Sequence, residues 1–147
     1  MPAVASAGDV EELLRSRGLR PTRQRVEVLR ELSREGNDVT AQLLWQRLHA
    51  RGEAKVGLAT VYRTLALLSE HGVVDVLSHH APELCYRLCA QRHHHHLLCT
   101  ECHRVVEIDE CGVGGWVDDV AARHGFVAAD HRVEISGRCA DCQSSNR

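Results

Sequence analysis

The sequence predicts an α+β protein in two parts: an N-terminal winged helix-turn-helix domain and a smaller C-terminal α+β domain stapled by metal. Three observations carry this. Apolar residues step at helical spacing from Val10 to Leu68 and then give way to two short strand patterns, Val73–Leu77 and Leu84–Leu88. From Cys89 to Cys102 the chain reads CAQRHHHHLLCTEC, three cysteines and four histidines in fourteen residues. A second cysteine pair, Cys139-Ala140-Asp141-Cys142, closes the C-terminal region. Thiolates and imidazoles at this density suit a zinc-type ion, not a hard ion such as magnesium or calcium.

The length of 147 residues allows one ordinary domain or two small ones. The formal net charge of -2 decides nothing about nucleic acid, but its distribution does more. Residues 15–34 carry seven arginines against two glutamates, whereas residues 89–147 carry six basic and nine acidic side chains. A solvated helix face would explain the basic stretch equally well. The first residues lack the charged start and apolar core of a signal peptide, and no run reaches the length of a membrane span. A reducing cytoplasm is therefore expected, where paired cysteines bind metal more often than they form disulfides.

Residues 1–8 read as a loose tail and 9–88 as the winged-helix domain. Asp9 is the expected cap of a helix over Val10–Arg17, ended by Gly18. Pro21 precedes a second helix, capped by Thr22 and running to Ser33, with Val26, Leu29 and Leu32 inward. Gly36-Asn37-Asp38 is a turn. Thr40 opens a third helix, with Leu43, Leu44 and Leu48 inward, closed near Gly52. The fourth helix runs from Leu58 to His71, where Gly72 stops it. Leu58, Val61, Leu65 and Leu68 make its buried stripe, and Arg63 points almost opposite at 100° per residue. Tyr62 sits at the edge, and Ala59 and Ala66 are short enough for close approach to a duplex. Arginine on such a face can bond guanine in a major groove, although one solvated arginine on an amphipathic helix fits the same pattern. The two strands around His79-His80-Ala81-Pro82 supply the wing, and this order of elements raises the case for DNA binding. Residues 89–92 read as a hinge. In 93–147, His93–Cys99, Arg104–Ile108 and Arg132–Ser136 are strand-like, glycines at 112, 114 and 115 break the chain, and Trp116–Arg123 is a short helix. A unit this small needs a staple or a partner.

The two CxxC pairs, Cys99/Cys102 and Cys139/Cys142, lie 36 residues apart. Two such turns complete a tetrahedral sulfur shell that leaves no room for substrate, so the expected zinc there is structural. The alternative, two redox CxxC motifs, lacks a thioredoxin-type context. In an extended strand His93 and His95 face one side and His94 and His96 the other. Four histidines can thus serve two sites, or one site with two to spare. Periodicity does not fix the remaining ligands. Asp75 and Cys89 with two histidines would bring two negative charges to a divalent ion and tie wing, hinge and C-terminal domain together.

Taken with LRPTRQRVEVL, GLATVYRTLALLSEHGVVDVL, CYRLC, HHHHLLCTEC and HRVEISGRCADC, the chain resembles the ferric-uptake-regulator family from about residue 10 to 142. Within it the sequence is most similar to the zinc-uptake regulators. The resemblance implies a C-terminal dimerisation domain. It implies a regulatory zinc on Asp75, Cys89, His94 and His96, and a structural zinc on Cys99, Cys102, Cys139 and Cys142. It implies that Tyr62 and Arg63 contact DNA and that Arg23 touches backbone phosphate. Relatives often hold a third zinc on two histidines, a glutamate and a later histidine. His93, His95 and His131 match, but the glutamate position is Gly114. A third site that is weak, water-completed or absent is therefore expected. Glu110 and Cys111 lie near that position, but neither is at the matching place. Cys85 and Cys111 match no family ligand and read as buried or free thiols, with Cys111 a candidate substitute ligand.

The function implied is a zinc-responsive repressor that binds a palindromic operator as a metal-loaded homodimer and controls zinc uptake genes. One rival is a sensor of iron, nickel or peroxide, against which Cys89 argues. A zinc enzyme is another, but HExxH and HxE…PCxxC are both missing. A zinc store would leave the arginine-rich front and the TVYR helix unexplained. No catalytic residue and no small-molecule substrate is expected.

Overall fold

The computed structural model describes residues 6–34, 38–52, 55–78, 82–88, 92–128 and 130–144. Residues 1–5 of the expected tail, the turn at Gly36-Asn37, the hairpin tip His79-His80-Ala81 and hinge residues 89–91 lie outside them, whereas residues 6–8, also expected in the tail, cap and open the first helix. The chain divides into two compact units, Met1–Gln91 and Arg92–Arg147. No helix among the described residues is long and apolar enough to cross a membrane.

In the first unit, α1 spans Ala7–Ser16. Its cap is Ser6, not the expected Asp9. The Ser6 hydroxyl accepts the Asp9 N–H at 3.2 Å and the Asp9 carboxylate accepts the Ser6 N–H at 3.1 Å. Asp9 is thus the returning half of a capping box, which starts the helix earlier than a lone cap would. Helix α2 spans Arg23–Ser33, with Thr22 Oγ1 accepting from the Arg25 N–H. It buries Val28, Leu29 and Leu32 and, unforeseen, Glu31. Glu31 is fully enclosed and its carboxylate accepts from Arg34 at 2.6 Å and from Arg51 Nε at 2.9 Å. Two arginines thus satisfy one buried charge and tie α2 to the end of the next helix.

Strand β1 is Val39–Thr40, and α3, Ala41–Ala50, follows with Thr40 Oγ1 accepting the Leu43 N–H at 3.2 Å. The buried positions are Ala41, Leu44 and Leu48, which step by three and four. Leu43, expected inward, falls off that stripe and is 39% exposed. Helix α4, Leu58–Glu70, buries Val61, Thr64, Leu65 and Leu68, with Leu58 half-buried. Gly72 takes φ 63° after it, a left-handed turn that suits glycine. Arg17 Nη1 donates to the Gly72 carbonyl at 2.8 Å, pinning the end of α1 to the end of α4. Strands β2, Val74–Leu77, and β3, Cys85–Leu88, pair antiparallel from Val74↔Leu88 to Leu77↔Cys85. The wing is not the expected two-stranded ribbon: β1 adds to the free edge of β3, in the order β1-β3-β2. One apolar core joins the four helices and the wing.

The second unit holds β4 (His95–Cys99), β5 (Val105–Ile108), α5 (Gly114–Arg123), β6 (Glu134–Gly137) and α6 (Ala140–Ser144). Strand β4 is central, antiparallel to β5 and parallel to β6. His93 and His94 precede β4 instead of lying within it. Gly114, expected to break the chain, opens α5, and α6 was not foreseen. Among the described residues of this unit only His95, His96, Leu98 and Cys99 are buried. That is too little apolar burial to hold a fold unaided.

Replacing Leu65 by Ala should cost about 2–5 kcal/mol of unfolding free energy, because Leu65 is fully enclosed in the first unit's core. Urea denaturation followed by far-ultraviolet circular dichroism measures it. A cost under about 1 kcal/mol would mean that α4 does not organise this core.

Candidate metal centres and recognition helix

Cys99 ends β4, Cys102 lies in the turn after it, Cys139 precedes α6 and Cys142 lies within α6. The parallel pairing of β4 with β6 sets Cys99 opposite Gly137 and so brings the two CxxC turns together. The Thr100 N–H donates to the Gly137 carbonyl at 2.9 Å and holds that junction. The Sγ atoms of Cys99 and Cys142 are 3.8 Å apart, those of Cys102 and Cys139 3.6 Å, and all four lie within 4.8 Å of one another. A tetrahedron with Zn–S bonds of about 2.3 Å has S···S edges of about 3.8 Å, so the four sulfurs fit zinc. They are far too distant for disulfides. Backbone N–H groups, that of Cys102 first and then that of Cys139, bond to the Cys99 sulfur and bring its pKa down to about 6. Cys142 is pushed up, first by its hydrogen bonding with Cys139. One thiol is thus prepared as thiolate, and hydrogen bonding among the sulfurs opposes ionisation of Cys142 until a cation is present.

The histidines sort by face. The rings of His93 and His95 meet edge-on with centroids 4.6 Å apart, and those of His94 and His96 do the same at 4.8 Å. His131, just before β6, stacks obliquely on His93 with centroids 4.6 Å apart. Cys111, in the segment leading into α5, places its Sγ 3.0 Å from His131 Nε2. One ligand atom from each of His93, His95, Cys111 and His131 lies within 4.8 Å of the others. His95 is 4% exposed, and burial first, then the imidazoles of His93, His131, His94 and His96, lowers its pKa. Its ring is thereby held neutral, the form that binds metal. On the other face, His94 Nδ1 sits 2.6 Å from the Arg92 carbonyl and His96 is buried. Asp75 lies on β2 of the first unit and is buried there, while Cys89 is outside the described residues.

Helix α4 exposes Ala59, Tyr62, Arg63 and Ala66 on the side away from Val61, Leu65 and Leu68. Tyr62 is 45% exposed, and Arg63 Nη2 donates to Thr60 Oγ1 at 3.3 Å. The guanidinium is thus lightly tethered to its own helix and available from solvent. Arg23 stands at the first turn of α2, its Nε on Glu27 at 2.6 Å.

The model of the ferric uptake regulator family matches residues 16–136. The chain belongs to the ferric uptake regulator family. Among family members, it is 40% identical over 127 residues to the zinc uptake regulation protein of Mycobacterium tuberculosis, which covers 86% of this chain and 97% of that one. It is 34% identical over 138 residues to the ferric uptake regulation protein of Shigella flexneri, covering 92% and 93%. Among solved structures it is similar to a zinc uptake regulator complexed with zinc and DNA, with TM-score 0.78 and 28% identity over 99% of this chain and 98% of that one. It is also similar to holo XcZur, with TM-score 0.73 and 31% identity over 94% and 96%.

Two cysteines outside the family's ligand pattern separate cleanly. Cys111 is exposed beside His131, whereas Cys85 is buried on β3. Glu31 and the nearness of Cys111 to His131 were not read from sequence. A carboxylate among the apolar steps of α2 carries no mark of burial, and a contact between two loop residues has no period. Burial first, then the Asp38 carboxylate, pushes the Cys85 thiol up to about 12 from an ordinary 9.0. Its thiolate fraction at pH 8 then falls about a thousandfold. Cys85 should therefore resist iodoacetamide in the native protein at pH 8 and react once the chain is unfolded. Peptide mass spectrometry reads this, and rapid native labelling of Cys85 would overturn it.

Proposed function

We propose that this family member is a zinc-responsive repressor of zinc uptake and homeostasis genes, working in the cytoplasm as a homodimer on a palindromic operator. The observation that carries the reading is the similarity, over nearly the whole chain, to a zinc- and DNA-bound regulator. The best-matched of the curated relatives compared above is likewise a zinc uptake regulation protein.

The residues divide into three tasks. Cys99, Cys102, Cys139 and Cys142 would hold a structural zinc, which supplies the cross-link that four buried side chains cannot. Asp75, Cys89, His94 and His96 would hold the regulatory zinc. Two anionic and two neutral ligands balance a divalent charge, and they come from the wing, the hinge and the start of the C-terminal unit. Arg63 and Tyr62 would meet base edges in the major groove, and Arg23 a phosphate. Zinc acts on DNA affinity only to the extent that these ligands fit the DNA-competent arrangement better than any other.

The second unit supports a homodimer. Leu97 on β4 is paired with Val106 on β5 and Ile135 on β6, so the three share one face of the sheet. They are 39%, 41% and 49% exposed, and α5 buries none of its residues, leaving Trp116 65% exposed. A second copy would cover this apolar surface. The ferric uptake regulation relatives at 34% identity favour an iron sensor as the alternative, and Cys89 weighs against it because a thiolate selects softer ions.

Fluorescence anisotropy on the protein's own promoter region tests the reading over buffered free zinc. The wild type should bind about 5–150-fold more tightly with zinc than with chelator. Cys89→Ser should lose that response while keeping its structural zinc. Equal affinity with and without zinc, or a response to ferrous iron at lower free concentration than zinc, would reject it. At saturating zinc, Arg63→Ala should weaken binding by about 1–3 kcal/mol. An unchanged affinity would remove Arg63 from the interface.

A further inference from the structure

We propose that Cys111 is a metal ligand, completing with His93, His95 and His131 a four-coordinate zinc site of three imidazoles and one thiolate. The inference rests on the zinc reading above for the identity of the ion, and on geometry for its ligands. From sequence the third site is expected to be weak, water-completed or absent, because position 114 is glycine, with Cys111 one candidate substitute. The structure sets Cys111 among the three histidines.

Four features converge. First, the four donor atoms lie within 4.8 Å of one another, and Cys111 Sγ is already 3.0 Å from His131 Nε2. Second, His95 is buried, yet its Nε2 has no hydrogen-bond partner among the described residues. An unmatched buried nitrogen is costly, and a cation in this cluster would answer it. Third, a Cβ at Gly114 would stand 3.7 Å from Cys111 Sγ. That is ordinary van der Waals contact, so position 114 lies directly beside the sulfur. Fourth, the ligands come from three segments: the entry to β4, the entry to α5 and the entry to β6. Helix α5 buries nothing of its own, so a bond through Cys111 would fix its start to the sheet.

The charge balances. Binding releases the thiol proton of Cys111 to solvent, and one thiolate with three neutral imidazoles leaves the zinc complex at a single positive charge. With four protein donors the shell is closed, as in a structural site. A sulfur donor also tilts the site toward soft ions in a way that an oxygen donor would not.

The test uses the full chain with Cys89→Ser, so that no hinge thiolate contributes, and with zinc retained in the four-cysteine site. Cobalt(II) is then titrated in. A sulfur-to-cobalt charge-transfer band in the near ultraviolet, with tetrahedral visible bands, is expected. The charge-transfer band should vanish when Cys111→Ala is added. In the otherwise native chain, Cys111→Ala should bind one equivalent of zinc fewer per protomer at a free zinc that just saturates the wild type. That corresponds to at least about tenfold weaker binding at this site, since even outer-shell changes cost 10–100-fold. Zinc content of the four-cysteine site and the circular dichroism spectrum report that each variant is folded. A charge-transfer band that persists in Cys111→Ala, or no such band in its parent, overturns the assignment. So does unchanged zinc stoichiometry, which would shift ligation to Asp118 or Asp130 beside the cluster. None of these outcomes depends on DNA, so the repressor reading stands or falls separately.

Discussion

The second unit depends on the meeting of two CxxC turns across the parallel β4·β6 pair. Parallel strands need a crossover connection, and here that connection carries β5 and α5. Closing so long a loop costs chain entropy, and among its described residues the unit has four buried side chains to offset it. The cysteines therefore sit where the topology is most expensive. One pair ends the central strand and the other follows its parallel neighbour, so a single ion held there would fix strand pairing, register and chain end together. Hydrogen bonds from the Cys102 and Cys139 N–H groups to the Cys99 sulfur show the backbone already shaped around a thiolate.

The first unit is built on the opposite plan. Its leucines and valines from four helices and the wing form one core, and its most deeply buried charge, Glu31, is answered by Arg34 and Arg51. It asks nothing of a metal in order to fold. That independence frees one side of α4: Val61, Leu65 and Leu68 anchor the helix, and Tyr62, Arg63 and the two alanines have no structural task inside the unit. That exposed side is stiff because its far side is packed, which under the proposed function is what a side chain aimed at a base edge would require.

Legibility followed the same division. The helices of the first unit were readable because their apolar steps repeat at three and four, and Thr22, Thr40 and Gly72 punctuate them. What escaped was short or relational. Strand β1 is two residues long and gains its identity only from its neighbour β3. Leu43 looked apolar and inward, but its position along α3 places it off the buried stripe. Asp9 was read as a cap because the reciprocal Ser6 lay in a stretch assigned to the tail. In the second unit periodicity is weak, so spacing had to serve. The two CxxC pairs could be joined from spacing because each turn offers two sulfurs at once. The alternation of the histidines gave the pairing His93 with His95 and His94 with His96, although the strand proper begins only at His95. Cys111 had no such handle, since its relation to His131 is a contact between two loops.

Metal ligands in this chain cluster where packing is poorest, and that follows from what each can do. A core stabilises in proportion to area removed from water and needs many residues, whereas a four-ligand site concentrates its stabilisation in four side chains. A small unit with an exposed apolar stripe at Leu97, Val106 and Ile135 cannot also invest those residues inward if they are reserved for a second copy. Stapling from within by zinc and covering from without by a partner are then complementary solutions to one shortage of buried area. Under the proposed function, a metal-dependent fold in the second unit would also make dimer geometry sensitive to the metal, whereas the first unit would stay folded throughout. Under the proposed function, that separation lets the ion change how two reading helices are presented without unfolding either.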